Sequence, residues 1–169
     1  SVNKIFQESF KKNWDRPAIS NYQGVTLHYR DVARRVAKMH IMFEECGLER
    51  GDKVALCSRN QANWAVAFLS ALTYGAVPVP LLHEFKSSNI HHLVNHSEAK
   101  ILFVDDVIWE GLTETEMPDL HAIIQVNTFK PLYAKDEKIV SKVKDDFERK
   151  KRYIGTIPPK KPYKGNIKI

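Results

Sequence analysis

The sequence predicts an α/β fold in which a parallel β-sheet is covered by helices on both faces. Three short apolar runs, 53–57, 101–104 and 122–126, have the length and composition of strands that are buried on both faces. Segments with helical periodicity lie between them. Because strands alternate with helices, right-handed βαβ crossovers are expected, and these place the strands parallel within one sheet.

The first part of the chain predicts a helix followed by a small hairpin. Residues 3–14 carry apolar side chains at helical spacing, and the segment Asp15-Arg16-Pro17 ends that pattern. Residues 18–21 and 25–27 predict two short strands around a turn at Gln23-Gly24.

Two helices are predicted next, one before and one after the strand at 53–57. The first, from Tyr29 to Cys46, is amphipathic, and Gly47 stands where a left-handed C-terminal cap is wanted. The second, 62–74, is apolar nearly all round, so we expect it to be deeply packed and closed by Gly75.

The alternation continues through the second half. Residues 77–82 predict a strand that Pro78 and Pro80 make short, and Ser87 is expected to cap a helix that runs through His96. Either Asp105 or Asp106 can cap the helix after the next strand. We expect the helices between strands to span about ten to fourteen residues.

The chain divides into two parts by pattern. Residues 1–135 form the predicted α/β subdomain, and residues 136–169 are expected to hold a basic helix (136–152) and a proline-containing linker. From 149 onward the chain has eight basic residues and no acid, which leaves 18 basic and 20 acidic residues in 1–148. Such a segment can bind nucleic acid or an anionic membrane, but a solvated linker is the favoured interpretation.

Composition favours a globular cytoplasmic protein. Of the 169 residues, 43% are hydrophobic and 27% charged, and no apolar run approaches the roughly 18 residues of a membrane span. The first residues are charged throughout, unlike a secretory signal. Cys46 and Cys57 are interpreted as reduced core thiols.

Phosphate chemistry needs a glycine-rich loop, and the sequence has none. The seven glycines are scattered, and neither G-x-G-x-x-G nor G-x-x-x-x-G-K-[ST] occurs. His91, His92 and His96 invite a metal hypothesis because His92 and His96 stand one helical turn apart. No third ligand is evident in sequence, and the histidines alternate with apolar residues. The favoured interpretation is therefore that they lie on the solvent-exposed face of a helix.

Other candidates for chemistry also have structural interpretations. Ser58 and Ser70 lack a G-x-S-x-G setting, and no base or orienting group stands near them in sequence. The acidic pairs Asp105-Asp106 and Glu44-Glu45 suit helix capping and helix-end solvation. The tryptophans are expected to fill cores (Trp14, Trp64 and Trp109). We therefore assign no catalytic, cofactor-binding or metal-binding residue within this chain.

Four segments resemble the opening region of adenylate-forming enzymes, the superfamily of acyl-CoA synthetases, luciferases and peptide-synthetase adenylation domains. Residues 27–32 (LHYRDV) resemble the first core motif, usually Leu-Ser/Thr-Tyr-x-Glu-Leu. Residues 47–56 (GLERGDKVAL) with Asn60 are similar to "G-v-x-x-G-D-x-V-a-l…N", and 71–81 (ALTYGAVPVPL) resemble the second core motif. Residues 97–102 (SEAKIL) are close to "dSeAkvli". The order and spacing of these segments over 1–126 make the combination specific.

The chain departs from the family pattern in two ways. His28 and Asp31 stand where the family has Ser/Thr and Glu, so the helix that begins at Tyr29 is expected to lose some capping stability. The family's Ser/Thr/Gly-rich phosphate loop, its adenine, ribose and magnesium motifs and its catalytic lysine have no counterpart in the sequence. No functional residue of the family can therefore be carried onto this chain.

The resemblance implies the N-terminal subdomain of a ligase that uses ATP, Mg²⁺ and CoA to convert a carboxylate into an acyl-adenylate and then an acyl-CoA. Long-chain fatty acid–CoA ligases are the most similar group, which implies a fatty acid substrate for the parent protein. We expect the fragment itself to be inactive and to bind none of these cofactors. Expected partners exclude nucleic acid and leave open peripheral membrane contact and self-association through exposed apolar surface.

Overall fold

A computed structural model describes residues 2–137 of the chain. It contains five α-helices, α1 (Val2–Lys12), α2 (Tyr29–Glu45), α3 (Ala62–Tyr74), α4 (Ser87–Ser97) and α5 (Asp106–Trp109), and one 3₁₀ turn (Glu114–Glu116). The seven strands are β1 (Pro17–Ser20), β2 (Thr26–His28), β3 (Lys53–Cys57), β4 (Val77–Pro80), β5 (Ala99–Val104), β6 (Ala122–Gln125) and β7 (Pro131–Ala134). Apart from residues 136 and 137, the predicted helix at 136–152 lies outside the described residues.

The central sheet is mostly parallel. Its strand order is β4-β3-β5-β6-β7, and all pairs are parallel except β6 and β7. Strands β1 and β2 form a separate antiparallel hairpin. The predicted α/β class, with its mostly parallel sheet flanked by helices, is thereby confirmed.

The two faces of the sheet bury two separate hydrophobic clusters, because alternate strand residues point to opposite faces. Val54, Leu56 and Phe103 face α2 and α3, where Phe43 is completely buried. On the other face, Cys57, Leu102 and their neighbours pack against α4 and the segment from 105 to 120. Helices and connecting segments therefore cover both faces, as the uninterrupted apolar strands predict.

The start of α2 has its own version of the capping pair found in the motif that residues 27–32 resemble. The Asp31 carboxylate accepts a hydrogen bond from the His28 N–H at 3.0 Å, and it lies 3.4 Å from His28 Nδ1. Asp31 thus reaches back to the first orphan donor in the way the longer Glu of a capping box does. At the C-terminal ends of α2 and α3, Gly47 (φ 68°) and Gly75 (φ 93°) adopt the expected left-handed conformation.

The second half of the chain differs from the sequence prediction in two ways. The sequence pattern did not indicate β7, an antiparallel edge strand that begins with a proline. The connection from β5 to β6 is not a helix of ten to fourteen residues, since α5 has only four residues and is followed by the 3₁₀ turn. Leu112, Met117 and Leu120 nevertheless bury their side chains, so this irregular segment covers the sheet as a helix would.

Three local predictions also need correction. Ser87 is the first residue of α4, and Lys86 occupies the cap position. Helix α3 is less deeply packed than its composition suggests, because Trp64, Phe68 and Leu72 are only half-buried. Trp14 and Trp109 are half-buried as well, so none of the three tryptophans is a fully enclosed core residue.

Among the described residues, no helix is long and apolar enough to cross a membrane. The proposed division at 135/136 stays a prediction, because nearly all of the second part lies outside the described residues.

Candidate functional site

The carboxyl edge of the parallel sheet is where the fold offers a site. The chain runs from β3 through α3 to β4 on one side, and then through α4 to β5 on the other side of β3. Two adjacent parallel strands whose connections leave in opposite directions create a crevice beyond their carboxyl ends, which is the usual ligand position in open α/β sheets. In this chain that switch point lies between β3 and β5.

Asp105 fills this switch-point crevice. Its side chain is only 7% exposed, and both carboxylate oxygens accept hydrogen bonds from backbone N–H groups. Oδ1 accepts from Ile108 at 2.9 Å, which caps α5, and Oδ2 accepts from Arg59 at 3.3 Å, just beyond β3. The carboxylate therefore ties the two diverging strands together, and the acidic residue that the sequence assigned to capping does cap α5. Asp106 is exposed.

The two serines that were weighed as nucleophiles bond to nearby backbone. Ser58 Oγ donates to the carbonyl of Arg59 at 3.0 Å, and Ser70 Oγ donates to the carbonyl of Val66 one helical turn earlier at 2.7 Å. Both residues are buried. A hydroxyl that is buried and committed to a carbonyl is not placed to attack a substrate.

The two cysteines are free, buried and on opposite faces of the sheet. Burial raises the pKa of Cys46 and of Cys57 to about 12, and the nearby carboxylates of Glu45 and Asp105 add to the respective shifts. A thiol with a pKa this high is almost entirely protonated at neutral pH and is a poor nucleophile and metal ligand. Both behave as the core thiols that the sequence predicts.

The three histidines of α4 do not act together. His92 and His96 are exposed, and their rings stack with centroids 5.9 Å apart. His91 makes a separate contact, since its Nε2 accepts a hydrogen bond from the Thr113 N–H at 3.1 Å. Within residues 2–137, no three His, Cys, Asp or Glu side chains come together as a metal site would require.

A second hollow lies between α2 and the segment that follows β6. This α2–β6 cleft has a volume of about 290 Å³, close to the lower end for ligand pockets. Its eight lining residues are Arg35, Lys38, Met39, Met42, Asn63, Asn127, Thr128 and Phe129. Two carry positive charge and none is acidic.

Asn63, at the start of α3, holds one wall of the cleft in place. Its amide nitrogen donates to the carbonyls of Val126 at 2.9 Å and Asn127 at 3.0 Å. Its amide oxygen accepts from the Arg35 guanidinium. One side chain therefore fixes the position of Arg35 against the loop after β6.

The floor of the cleft is apolar. Met39 and Met42 are 2% and 4% exposed, and Phe129 is 7% exposed. The Phe129 ring meets Phe103 edge-on at 6.3 Å, and its backbone has φ 57°, a conformation that bulky residues rarely adopt. Its N–H donates to the Gln125 carbonyl at 2.7 Å, which holds the tight turn that brings the ring inward.

Sequence reasoning missed this cleft. Arg35, Lys38, Met39 and Met42 do share one helix at three- and four-residue spacing, which is a weak signal for a mixed basic and apolar face. The remaining wall comes from residues about 25 and 90 positions further on. Only the parallel pairing of β3, β5 and β6 in one sheet brings these segments together.

The architecture described so far is that of a doubly covered α/β subdomain, and the comparisons with known proteins agree. In sequence, a family model described as "AMP-binding enzyme" matches residues 6–163. A long-chain-fatty-acid–CoA ligase of Xenopus laevis is 28% identical over 134 residues, which cover 74% of this chain and 18% of that protein. Surfactin synthase subunit 2 of Bacillus subtilis is 25% identical over 108 residues, covering 64% of this chain and 3% of that protein.

A solved structure gives the same result at the level of fold. The crystal structure of a long-chain-fatty-acid–CoA ligase from Archaeoglobus fulgidus matches with a TM-score of 0.69 at 19% identity, over 86% of this chain and 29% of that chain. This chain belongs to the AMP-binding, adenylate-forming enzyme family, and it corresponds to less than a third of the length of each of these relatives. The predicted family membership is confirmed.

Proposed function

We propose that this chain forms the N-terminal part of an ATP-dependent, AMP-forming fatty acyl-CoA synthetase and is inactive by itself. The parent protein would join a fatty acid to AMP with release of pyrophosphate and then pass the acyl group to CoA. Mg²⁺ and preorganised donors in the parent would stabilise the negative charge on the α-phosphate oxygens and on the departing pyrophosphate. The chain itself would supply the rigid sheet against which those groups are assembled.

The observation that carries this proposal is the family match over 6–163 in a sequence without any glycine-rich phosphate-binding loop. The filled switch point agrees with it, because Asp105 occupies the position where an α/β sheet of this kind would hold a nucleotide. A carboxylate there would also repel a triphosphate.

Apolar side chains at the carboxyl edge support the same proposal. Tyr22 and Val25, in the β1–β2 turn, are 92% and 66% exposed, and Asn21 of that turn bonds to the Ala62 N–H at the start of α3. Leu82, just after β4, and Val107, in α5, are 61% and 64% exposed. A further part of a larger protein would cover these side chains; without it they would promote self-association.

A fatty acid substrate is the finer part of the proposal. Its support is the repeated appearance of fatty acid–CoA ligases among the relatives, including a medium-chain ligase of Escherichia coli that is 22% identical over 138 residues. A cytoplasmic location follows from this assignment and stays a prediction. The competing role of the basic segment after 149, in binding nucleic acid or an anionic membrane, falls outside the described residues, and we do not propose it.

The direct test is to read the coding sequence that follows Ile169 in the native message. The proposal expects an open reading frame that soon encodes a serine-, threonine- and glycine-rich loop ending in lysine. The extended protein should release AMP from ATP when a fatty acid and CoA are supplied, and the 169-residue chain should not. A native stop codon directly after Ile169, or AMP release by the 169-residue chain alone, would contradict the proposal.

A further inference from the structure

Helix α4 carries two histidines on one face, both open to solvent. His92 and His96 are one helical turn apart, and side chains with that spacing lie one above the other. Their rings stack with an interplanar angle of 12° and centroids 5.9 Å apart, and both residues are exposed. The pair therefore offers two imidazoles to ions in the surrounding water.

The distance between the two rings suits one shared metal ion. Imidazole nitrogen binds Zn²⁺ at about 2.0–2.1 Å, so two rings on one ion have centroids about 5.3 Å apart at a tetrahedral angle and about 6.4 Å apart when they are opposite. The observed 5.9 Å lies within that range. Because the rings are nearly parallel, each must turn about χ2 before both nitrogens face the ion. That torsion is soft in histidine, and exposed rings are free to turn.

The rest of α4 fixes the backbone beneath the pair. Ile90 and Val94 are each 1% exposed and anchor the helix in the cluster on the second face of the sheet. The amide nitrogen of Asn95 donates to the Glu116 carbonyl at 2.8 Å, which ties the helix to the 3₁₀ turn. Binding an ion would therefore order two side chains and not a whole segment, which keeps its entropic cost low.

Helix α4 itself brings no charge that competes with a metal ion. From Ser87 to Ser97 it contains no lysine, arginine, aspartate or glutamate. Ser88 and Asn89, which helical spacing places on the same face as His92, are neutral and exposed. His96 lies in the last turn, where the partial negative charge of the helix end favours a cation.

We propose that His92 and His96 chelate one divalent transition-metal ion of the Zn²⁺ class through their imidazoles, with water completing its coordination. A closed structural site needs about four protein ligands, and within residues 2–137 no third His, Cys, Asp or Glu joins the pair. The site is therefore open and its ion exchangeable. Two linked rings bind more tightly than one, because the second ring acts at a high effective concentration.

This inference uses α4 alone and does not depend on the proposed synthetase function. Its test is isothermal titration of the 169-residue chain, without a polyhistidine tag, with Zn²⁺ near neutral pH. Saturable binding of one ion per chain is expected. Mg²⁺ prefers oxygen ligands, so about a tenfold excess of it should not displace Zn²⁺. In proton NMR spectra, Zn²⁺ should shift the imidazole signals of His92 and His96 and leave those of the other histidines in place.

Matched variants locate the site. His92→Gln and His96→Gln should each weaken Zn²⁺ binding by about tenfold or more, because a single ring loses the chelate. His83→Gln removes an exposed histidine outside α4 and should leave binding unchanged. Glutamine favours helices, so the α4 variants should keep their helix content, which circular dichroism checks. If a variant lost it, the NMR shifts of the unaltered chain would still decide.

Four results would overturn the inference. One is the absence of saturable Zn²⁺ binding up to about 1 mM, a concentration at which even weak chelation is visible. Another is unchanged binding in His92→Gln or His96→Gln, which would indicate a site that does not need both rings. The third is an NMR response at other histidines instead of this pair. The fourth is one ion for every two chains, which would indicate a site shared between copies. None of these results would bear on the proposed synthetase function.

Discussion

Two hollows near the carboxyl edge of the same sheet differ in how the chain treats them. The switch-point crevice between β3 and β5 contains the buried carboxylate of Asp105, whose two oxygens are both bonded to backbone N–H groups. The α2–β6 cleft, by contrast, is open, has two cations on its rim, and is lined by no acid among the described residues.

This difference separates what topology provides from what side chains allow. The order of parallel strands places a crevice between β3 and β5 in any sheet of this kind. In this chain the Asp105 carboxylate fills that crevice and links the backbone after β3 to the start of α5. We call this link a structural joint. The open cleft arises where no topological rule predicts it, from an asparagine that ties the start of α3 to the loop after β6.

The largest expected effect on stability comes from removing the Asp105 carboxylate that forms this joint. Asp105→Ala removes the cap of α5 and the acceptor for the Arg59 N–H, and leaves two backbone donors without their partner at partly buried positions. We expect the free energy of unfolding to fall by about 3 kcal/mol. Urea denaturation measures it, with Asp106→Ala as the matched control, since that neighbouring carboxylate is exposed and should matter by less than about 0.5 kcal/mol. Equal effects of the two variants would show that Asp105 is not a structural joint.

Loss of the asparagine that shapes the open cleft should cost less. Asn63→Ala removes two hydrogen bonds to carbonyls and one from Arg35 at a half-buried position. We expect a decrease of about 1.5 kcal/mol in the free energy of unfolding. The control is Asn60→Ala, which changes an exposed asparagine just ahead of α3. If Asn63→Ala matched this control, the wall of the cleft would not depend on Asn63.

The dependence of stability on alkaline pH tests whether Cys57, at the end of β3, is as buried as the structure shows. Its pKa in the folded chain is about 12, against an ordinary value of 9.0, so the folded state holds its proton to higher pH than the unfolded chain. The stabilisation this provides is complete below pH 9 and is lost as pH rises toward 12. By pH 10 the loss should reach about 1.4 kcal/mol for one thiol.

The measurement is the free energy of unfolding at pH 7 and pH 10 for the chain and for Cys57→Ala. The variant lacks the titrating group, so its stability should decline less over this interval. Equal declines would mean that Cys57 is not protonated preferentially in the folded state.

The smallest expected effect concerns the influence of Asp105 on Cys57. Burial is the main cause of the raised pKa, and the Asp105 carboxylate adds to it. Asp105→Asn removes that charge, so thiol labelling of Cys57 at pH 9 should accelerate a few-fold. Cys46, on the opposite face of the sheet, serves as the internal control and should keep its rate. Parallel acceleration of both thiols would instead report general loosening of the chain.

The sequence was a good guide wherever periodicity was strong. The apolar runs at 53–57 and 101–104 became central strands, and the spacing from Tyr29 to Cys46 became α2, which ends at Glu45. Local chemistry was readable too, since Gly47 and Gly75 have the positive φ that their helix ends require. These features depend on neighbours in sequence, which is why single-sequence reasoning reached them.

The features that the sequence did not predict depend instead on contacts between residues that are far apart in the chain. β7 is four residues long and begins with proline, so only its pairing with β6 defines it as a strand. The burial of Trp64 depends on what covers α3, and its own helix cannot show that. The α2–β6 cleft draws its walls from three distant segments, so no motif marks it. The filled switch point was half predicted, because the sequence indicated Asp105 as a cap without revealing its bond across to Arg59.

Titration of the 169-residue chain with ATP·Mg²⁺ tests most directly whether its own crevice is closed to nucleotide. Because Asp105 occupies the switch point and the sequence has no phosphate-binding loop, calorimetry should detect no saturable binding up to millimolar ATP. Saturable binding with a micromolar dissociation constant would contradict this account, and it would mean that residues within this chain hold the nucleotide.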